Sequence, residues 1–168
     1  MELKRAFVAM IACAFVVAAC EKGLASDSPA APSATSTLGD SCSLLTTAQV
    51  GSAISFTVNS QTASDGGRTC TWTYADPNNM VAFNTARLTL IDLATFAAMQ
   101  EAADSGTSIA PVASLGDQAF YSTSAQGTTL NVEKGSRAFT VSVSGSAYTT
   151  AEAQADEATL AGFVLAGI

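Results

Sequence analysis

Cys20 divides this chain into a part expected to be removed and a part that must fold. Ahead of it stand Lys4 and Arg5, then an unbroken apolar run over 6–19 ending in the small residues Ala18 and Ala19. The run is shorter than the roughly 18 residues a membrane span needs. A basic start, a short apolar core and small residues before a cut are the order of a secretory signal. An uncleaved signal anchor is the alternative, but the sequence turns polar directly after Cys20 and holds no later apolar run of spanning length. Loss of the 19 residues before Cys20 leaves 149 of 168, enough for one domain with a core and too few for two.

The same cut decides what the charges and cysteines mean. Without Glu2, Lys4 and Arg5 the basic residues fall from 7 to 5 and the acidic ones from 14 to 13, so the net charge becomes −8. Such a surface repels phosphate backbones and anionic headgroups, which excludes nucleic acid as a partner. Its ordinary reading is a solvated exterior kept soluble by charge. Cys13 leaves with the leader, and Cys42 and Cys70 are the thiols remaining inside the folded part. An oxidising compartment and an even count favour their pairing, which would stabilise by roughly 3–4 kcal/mol through loop closure. Two reduced buried cysteines, or half of a metal site, are the alternatives. A zinc site lacks ligands here, since the chain has no histidine and no CxxC spacing. No cofactor is expected.

Residues 21–40 are mostly Ser, Ala, Thr, Pro and Gly, with Pro29 and Pro32, which reads as a flexible linker. Thr46-Thr47-Ala48-Gln49 has the spacing of a capping box and predicts a helix over 46–53. A short strand is expected around 56–59, then a turn at Asp65-Gly66-Gly67. In the following run Cys70, Trp72 and Tyr74 alternate with Thr69, Thr71 and Thr73, a half-buried strand with the cysteine facing inward. A turn at Asp76-Pro77-Asn78-Asn79 leads to a returning strand over 80–91, and a helix follows over 93–103 with Phe96 and Met99 on one face. After an irregular passage containing Gly106 and Pro111, strands are expected over 119–122, 128–133 and 138–144. The last two form a hairpin around Lys134-Gly135-Ser136. Leu160, Phe163, Val164 and Ile168 form one stripe of a closing helix over 150–165. This order gives an α+β domain: a mainly antiparallel sheet of five to six strands with helices packed on it. The domain boundaries follow as a leader over 1–19, Cys20 and linker over 20–40, and one domain over 41–168.

The sequence Val17-Ala18-Ala19-Cys20 resembles the lipobox of bacterial lipoproteins. That resemblance implies a diacylglycerol on the Cys20 thiol, cleavage just before it, and residence in the cell envelope on the extracytoplasmic side of a bacterial membrane. Each buried acyl CH₂ contributes roughly 0.8 kcal/mol, so two or more chains hold a protein on a bilayer that one chain binds reversibly. Glu21 stands where an aspartate in two-membrane bacteria signals inner-membrane retention, so the choice of membrane stays open. Beyond Cys20, the chain carries Cys42-Ser43-Leu44-Leu45-Thr46, then Cys70-Thr71-Trp72, then Leu115-Gly116-Asp117, then a hairpin and an apolar helix. In that order these motifs resemble the small bacterial lipoproteins grouped as domain of unknown function 3558. The resemblance covers about residues 40–168 and implies that Cys42 and Cys70 are the family's cysteine pair. It implies no chemistry.

The lack of histidine excludes any histidine dyad or triad. A Ser/Lys mechanism would fall to Lys22 in the linker or Lys134 at a hairpin turn, where a solvated lysine is ordinary. Asp65, Asp76, Asp92, Asp104 and Asp117 sit at expected turns and helix ends, where capping explains an aspartate. Glu152, Asp156 and Glu157 read as the solvent side of the last helix. Trp72, Tyr74 and Tyr121 are the candidate lining of a ligand pocket, with core packing of the same rings as the competing reading. The expectation is a membrane-anchored lipoprotein with a noncatalytic binding domain for a small apolar ligand or an envelope protein. A hydrolase using carboxylates or Ser/Lys, and a purely structural envelope protein, are the alternatives.

Overall fold

The structure is a computed structural model and describes residues 39–76, 79–102, 106–146 and 148–168. The leader, Cys20, nearly all of the linker, Pro77, Asn78 and Asp104 lie outside the described residues. The elements run α1 (Thr47–Ile54), β1 (Val58–Ser64), β2 (Thr69–Asp76), β3 (Asn79–Ile91), α2 (Leu93–Glu101), β4 (Ser108–Pro111), β5 (Gln118–Ser124), β6 (Gly127–Lys134), β7 (Arg137–Ser144) and α3 (Thr150–Ala166). Local chemistry sets the helix starts. Thr46 accepts from the Gln49 amide while Gln49 reaches back to the Thr46 N–H, and Thr149 with Glu152 repeats the capping box at α3. At α2 the Asp92 side chain takes the Thr95 amide.

The seven strands form one sheet in the order β1-β2-β3-β7-β6-β5-β4, and every neighbouring pair is antiparallel. The α+β class therefore holds, while the expected five to six strands become seven. The extra strand is β4, which lies in the passage read as irregular. Its Pro111 and short length disguise it, yet both suit a sheet edge, where a missing N–H costs no ladder bond. The first strand also runs further than expected, to Ser64.

Period-two alternation gives the sheet two different faces. The inner face carries Cys70, Trp72, Ala86, Leu88, Leu130, Val132, Phe139 and Val141, all buried, and it packs against α1 and α3 through Val50, Ile54, Leu160, Ala161 and Val164. Leu130 lies opposite Val141 and Val132 opposite Phe139, the cross-hairpin pairing the alternation predicts. On the outer face α2 covers one end only. There Phe96 packs with Ile91, Phe120 and Ala138, its ring centroid 5.2 Å from that of Phe120. The remainder of the outer face presents Thr and Ser side chains, including Thr71, Thr73, Thr85, Ser142 and Ser144.

Candidate functional site

Asp40 caps a short 3-10 turn, Ser41–Ser43, by accepting from the Cys42 amide at 3.0 Å. That turn places Cys42 over β2, where it forms a disulfide with Cys70, the Cα atoms 5.0 Å apart. The bond closes a loop of 28 residues in sequence separation, and Cys70 is fully buried. Both cysteines are consumed by the fold.

The three aromatics named from sequence go to the core. Trp72 and Tyr74 are 1 % and 2 % exposed, because their alternation on β2 points them into the helix-covered face. Neither lines a cleft described below. Tyr121, on β5, is half-buried beside the same core and donates its hydroxyl to the Gln154 carbonyl at 2.7 Å. Tyr74 instead groups with Phe56 and Tyr148, with ring centroids at 5.3 and 6.4 Å.

The charged residues are mostly engaged in structure. Asp117 receives Lys134 Nζ at 2.8 Å and the Gly135 amide at 2.7 Å, and those two bonds hold its carboxyl below the usual range. Lys134, the one lysine in the folded part that sequence offers to catalysis, is thus a clamp on the β6–β7 hairpin. Gly116 explains the neighbouring turn. Its φ of +65° is left-handed, and a Cβ there would overlap the Glu133 carbonyl oxygen and approach Val132 Cγ1 to 2.9 Å. Asp92 and Glu152 are likewise held below their ordinary values, first by the backbone amides of Thr95 and Thr149 respectively. Among the described residues no three His, Cys, Asp or Glu side chains gather into a metal-binding group.

Two openings bear on a binding site. The larger, about 460 Å³, lies where the chain enters the domain at Gly39 and Asp40. Leu44, Leu90, Leu93, Phe139, Val164 and Ile168 give it apolar walls, and Asp40, Asp92 and Arg137 stand among its polar lining. Both carboxylates already serve as caps, and Arg137, the cation of this lining, makes no ion pair among the described residues. Leu93 is 39 % exposed there, one of two large apolar side chains so open among the described residues.

The second opening is a split in the sheet. The β3–β7 ladder continues to Thr85 opposite Ser144 and the β5–β6 ladder to Ser124 opposite Gly127, whereas the β6–β7 ladder ends at Leu130 opposite Val141. Past that point the Val143 amide donates to Glu157 Oε1 at 3.0 Å. Glu157 is fully buried, contrary to the solvent position read from sequence, and burial pushes its carboxyl up from 4.5 to about 8. Nearby on the inner face, Trp72 Nε1, both polar atoms of the Asn84 amide and Glu157 Oε2 have no hydrogen-bond partner. The sequence did hold a signal for Glu157. It lies three before Leu160 and seven before Val164, on the apolar stripe continued backward through Ala153. Asn84 occupies an inward β3 position with Ala86 and Leu88, equally legible from the alternation.

Fold and openings together define an α+β body with an unbranched antiparallel sheet and a stapled N-terminal end. Comparison with family models, with curated proteins and with solved structures finds no match to the chain. Among the described residues no helix is long and apolar enough to cross a membrane.

Proposed function

We propose that the chain is a lipid-anchored envelope protein whose folded part is a noncatalytic binding module, with the cleft at the chain's entrance as its ligand site. The observation that carries the binding reading is that cleft. Its volume of about 460 Å³ suits a small molecule, and its lining mixes apolar side chains with two capping carboxylates and one unpaired guanidinium. Such a lining favours a ligand with an apolar body over the converging carboxylates a hydrolase needs. The anchor reading rests on Lys4, Arg5, the apolar run and Val17-Ala18-Ala19-Cys20. Kinship with the domain of unknown function 3558 lipoproteins rests on the order of the Cys42, Cys70 and Leu115-Gly116-Asp117 motifs.

Native mass spectrometry of the full chain, extracted from membranes in mild detergent, tests the binding reading. A small molecule retained at one per chain, and lost on Leu93→Asp, is the expected result. Retention unchanged by Leu93→Asp, or no retained molecule at all, would refute the cleft as a small-ligand site. Cys20→Ala should abolish palmitate labelling and release the protein from membranes; a labelled, membrane-bound variant would overturn the anchor.

A further inference from the structure

Arg87 occupies an unusual place in an acidic chain. It is exposed on the outer face of β3, directly opposite Ser142 of β7, and makes no ion pair among the described residues. The split between β6 and β7 opens beside it into a groove of about 370 Å³. Ser142 and Thr129 border that gap from either side, and Thr129 lies opposite Ser122 on β5. Arg87, Ser142, Thr129 and Ser122 thus make one row across four strands, roughly 14 Å long or more at ~4.8 Å per strand interval. Among the described residues no carboxylate lines the groove, although the chain carries 14 acidic residues against 7 basic ones. Several lining hydroxyls are satisfied locally: Thr85 bonds Ser144 at 2.9 Å, and Ser122 receives Asn131 Nδ2 at 3.2 Å. The Ser142 and Thr129 hydroxyls, like the Arg87 guanidinium, have no side-chain partner among the described residues.

We propose that this groove binds a small polyhydroxylated oxyanion, a sugar acid or sugar phosphate, with the Arg87 fork on the anionic oxygens and Ser142 and Thr129 on its hydroxyls. A guanidinium pairs with two oxygens of a carboxylate or phosphate at once, and such charge-assisted bonds are the strong ones. Among the described residues the groove's lining holds no aromatic ring, and Trp72, Tyr74 and Tyr121 all belong to the opposite face. A neutral sugar would therefore find hydroxyls but no stacking surface, and the charge must supply the affinity. The volume lies near the small end of the roughly 300–1,000 Å³ range of ligand sites, which fits one sugar unit.

The full chain in mild detergent is titrated with glucuronate, glucose 1-phosphate, glucose and inorganic phosphate while backbone amide shifts are followed. The expected result is saturable binding of at least one sugar oxyanion, with shifts confined to residues 85–87, 126–129 and 142–144. The tighter of the two tells whether carboxylate or phosphate is the native group. Arg87→Gln should weaken that binding about tenfold to a hundredfold, by the worth of one charge-assisted contact, and leave thermal unfolding unchanged. Ser142→Ala should weaken it less. The proposal is overturned if glucose binds as tightly as the oxyanions or inorganic phosphate as tightly as glucose 1-phosphate. It is equally overturned if R87Q binds like the parent, or if no probe binds.

Discussion

Replacing Glu157 by glutamine should make this protein more stable at neutral pH, and the gain should grow with pH. The carboxyl is fully buried, accepts one amide through Oε1, and leaves Oε2 without a partner. Desolvation therefore raises its pKa from 4.5 to about 8, with the nearby Asp156 charge adding in the same direction. The folded state holds the proton more tightly than the unfolded one, so this group favours folding fully below pH 4.5 and progressively less above it. At 1.36 kcal/mol per unit, the loss is about 3 kcal/mol at pH 7 and levels off near ~5 kcal/mol above pH 8. Glutamine keeps an oxygen for the Val143 amide and has no proton to lose. Urea unfolding of both proteins from pH 4 to 9 checks the argument, with the difference between them as the readout. Asp92, Asp117 and Glu152, whose lowered values make stability fall as pH drops, are common to both proteins and cancel in that difference. Near-equal stability at pH 4 and an E157Q advantage of about 3 kcal/mol at pH 7 are expected. A difference that stays flat across the range would refute the reasoning.

Two further perturbations follow from covalent and backbone constraints. Cys42→Ala with Cys70→Ala should cost roughly 3–4 kcal/mol in the same unfolding assay, and mass measurement of the native protein should show two thiols only after reduction. Gly116→Ala should cost about 2–4 kcal/mol, combining the left-handed φ with an overlap that forces the Glu133 strand to shift. Unchanged stability in that variant would mean that the Asp117 turn is not seated on the hairpin.

Elements whose signal is local were legible from sequence. The capping box at Thr46, the Thr-and-aromatic alternation of β2, and the β6–β7 hairpin each declare themselves within a few residues. What was hidden depends on distant partners. The edge strand β4 is four residues long and is made a strand by β5, which no local pattern announces. Glu157 carries two opposed signals: a carboxylate near a helix start fits the dipole and suggests solvent, yet its position on the apolar stripe decides its burial. The aromatics of β2 carried the same ambiguity. A ring at an inward position can line a pocket or fill a core, and the two helices lying over that face decide for the core. The split between β6 and β7 was unreadable for a different reason. Both strands continue past Leu130 and Val141 without a turn signal, and where they diverge the Val143 amide goes to Glu157 on a distant helix.

The position of the disulfide has a mechanical consequence. A pull on the chain ahead of Cys42 arrives at a residue bonded covalently to Cys70 on β2, the strand held between β1 and β3. Tension then loads β2 in shear against two neighbours, instead of unzipping α1 and the edge strand β1 one hydrogen bond at a time. The 27 residues between the two cysteines are out of the line of force. Reduction would move the load onto α1 and β1, so the oxidised protein should resist pulling from its N-terminal side far better than the reduced one.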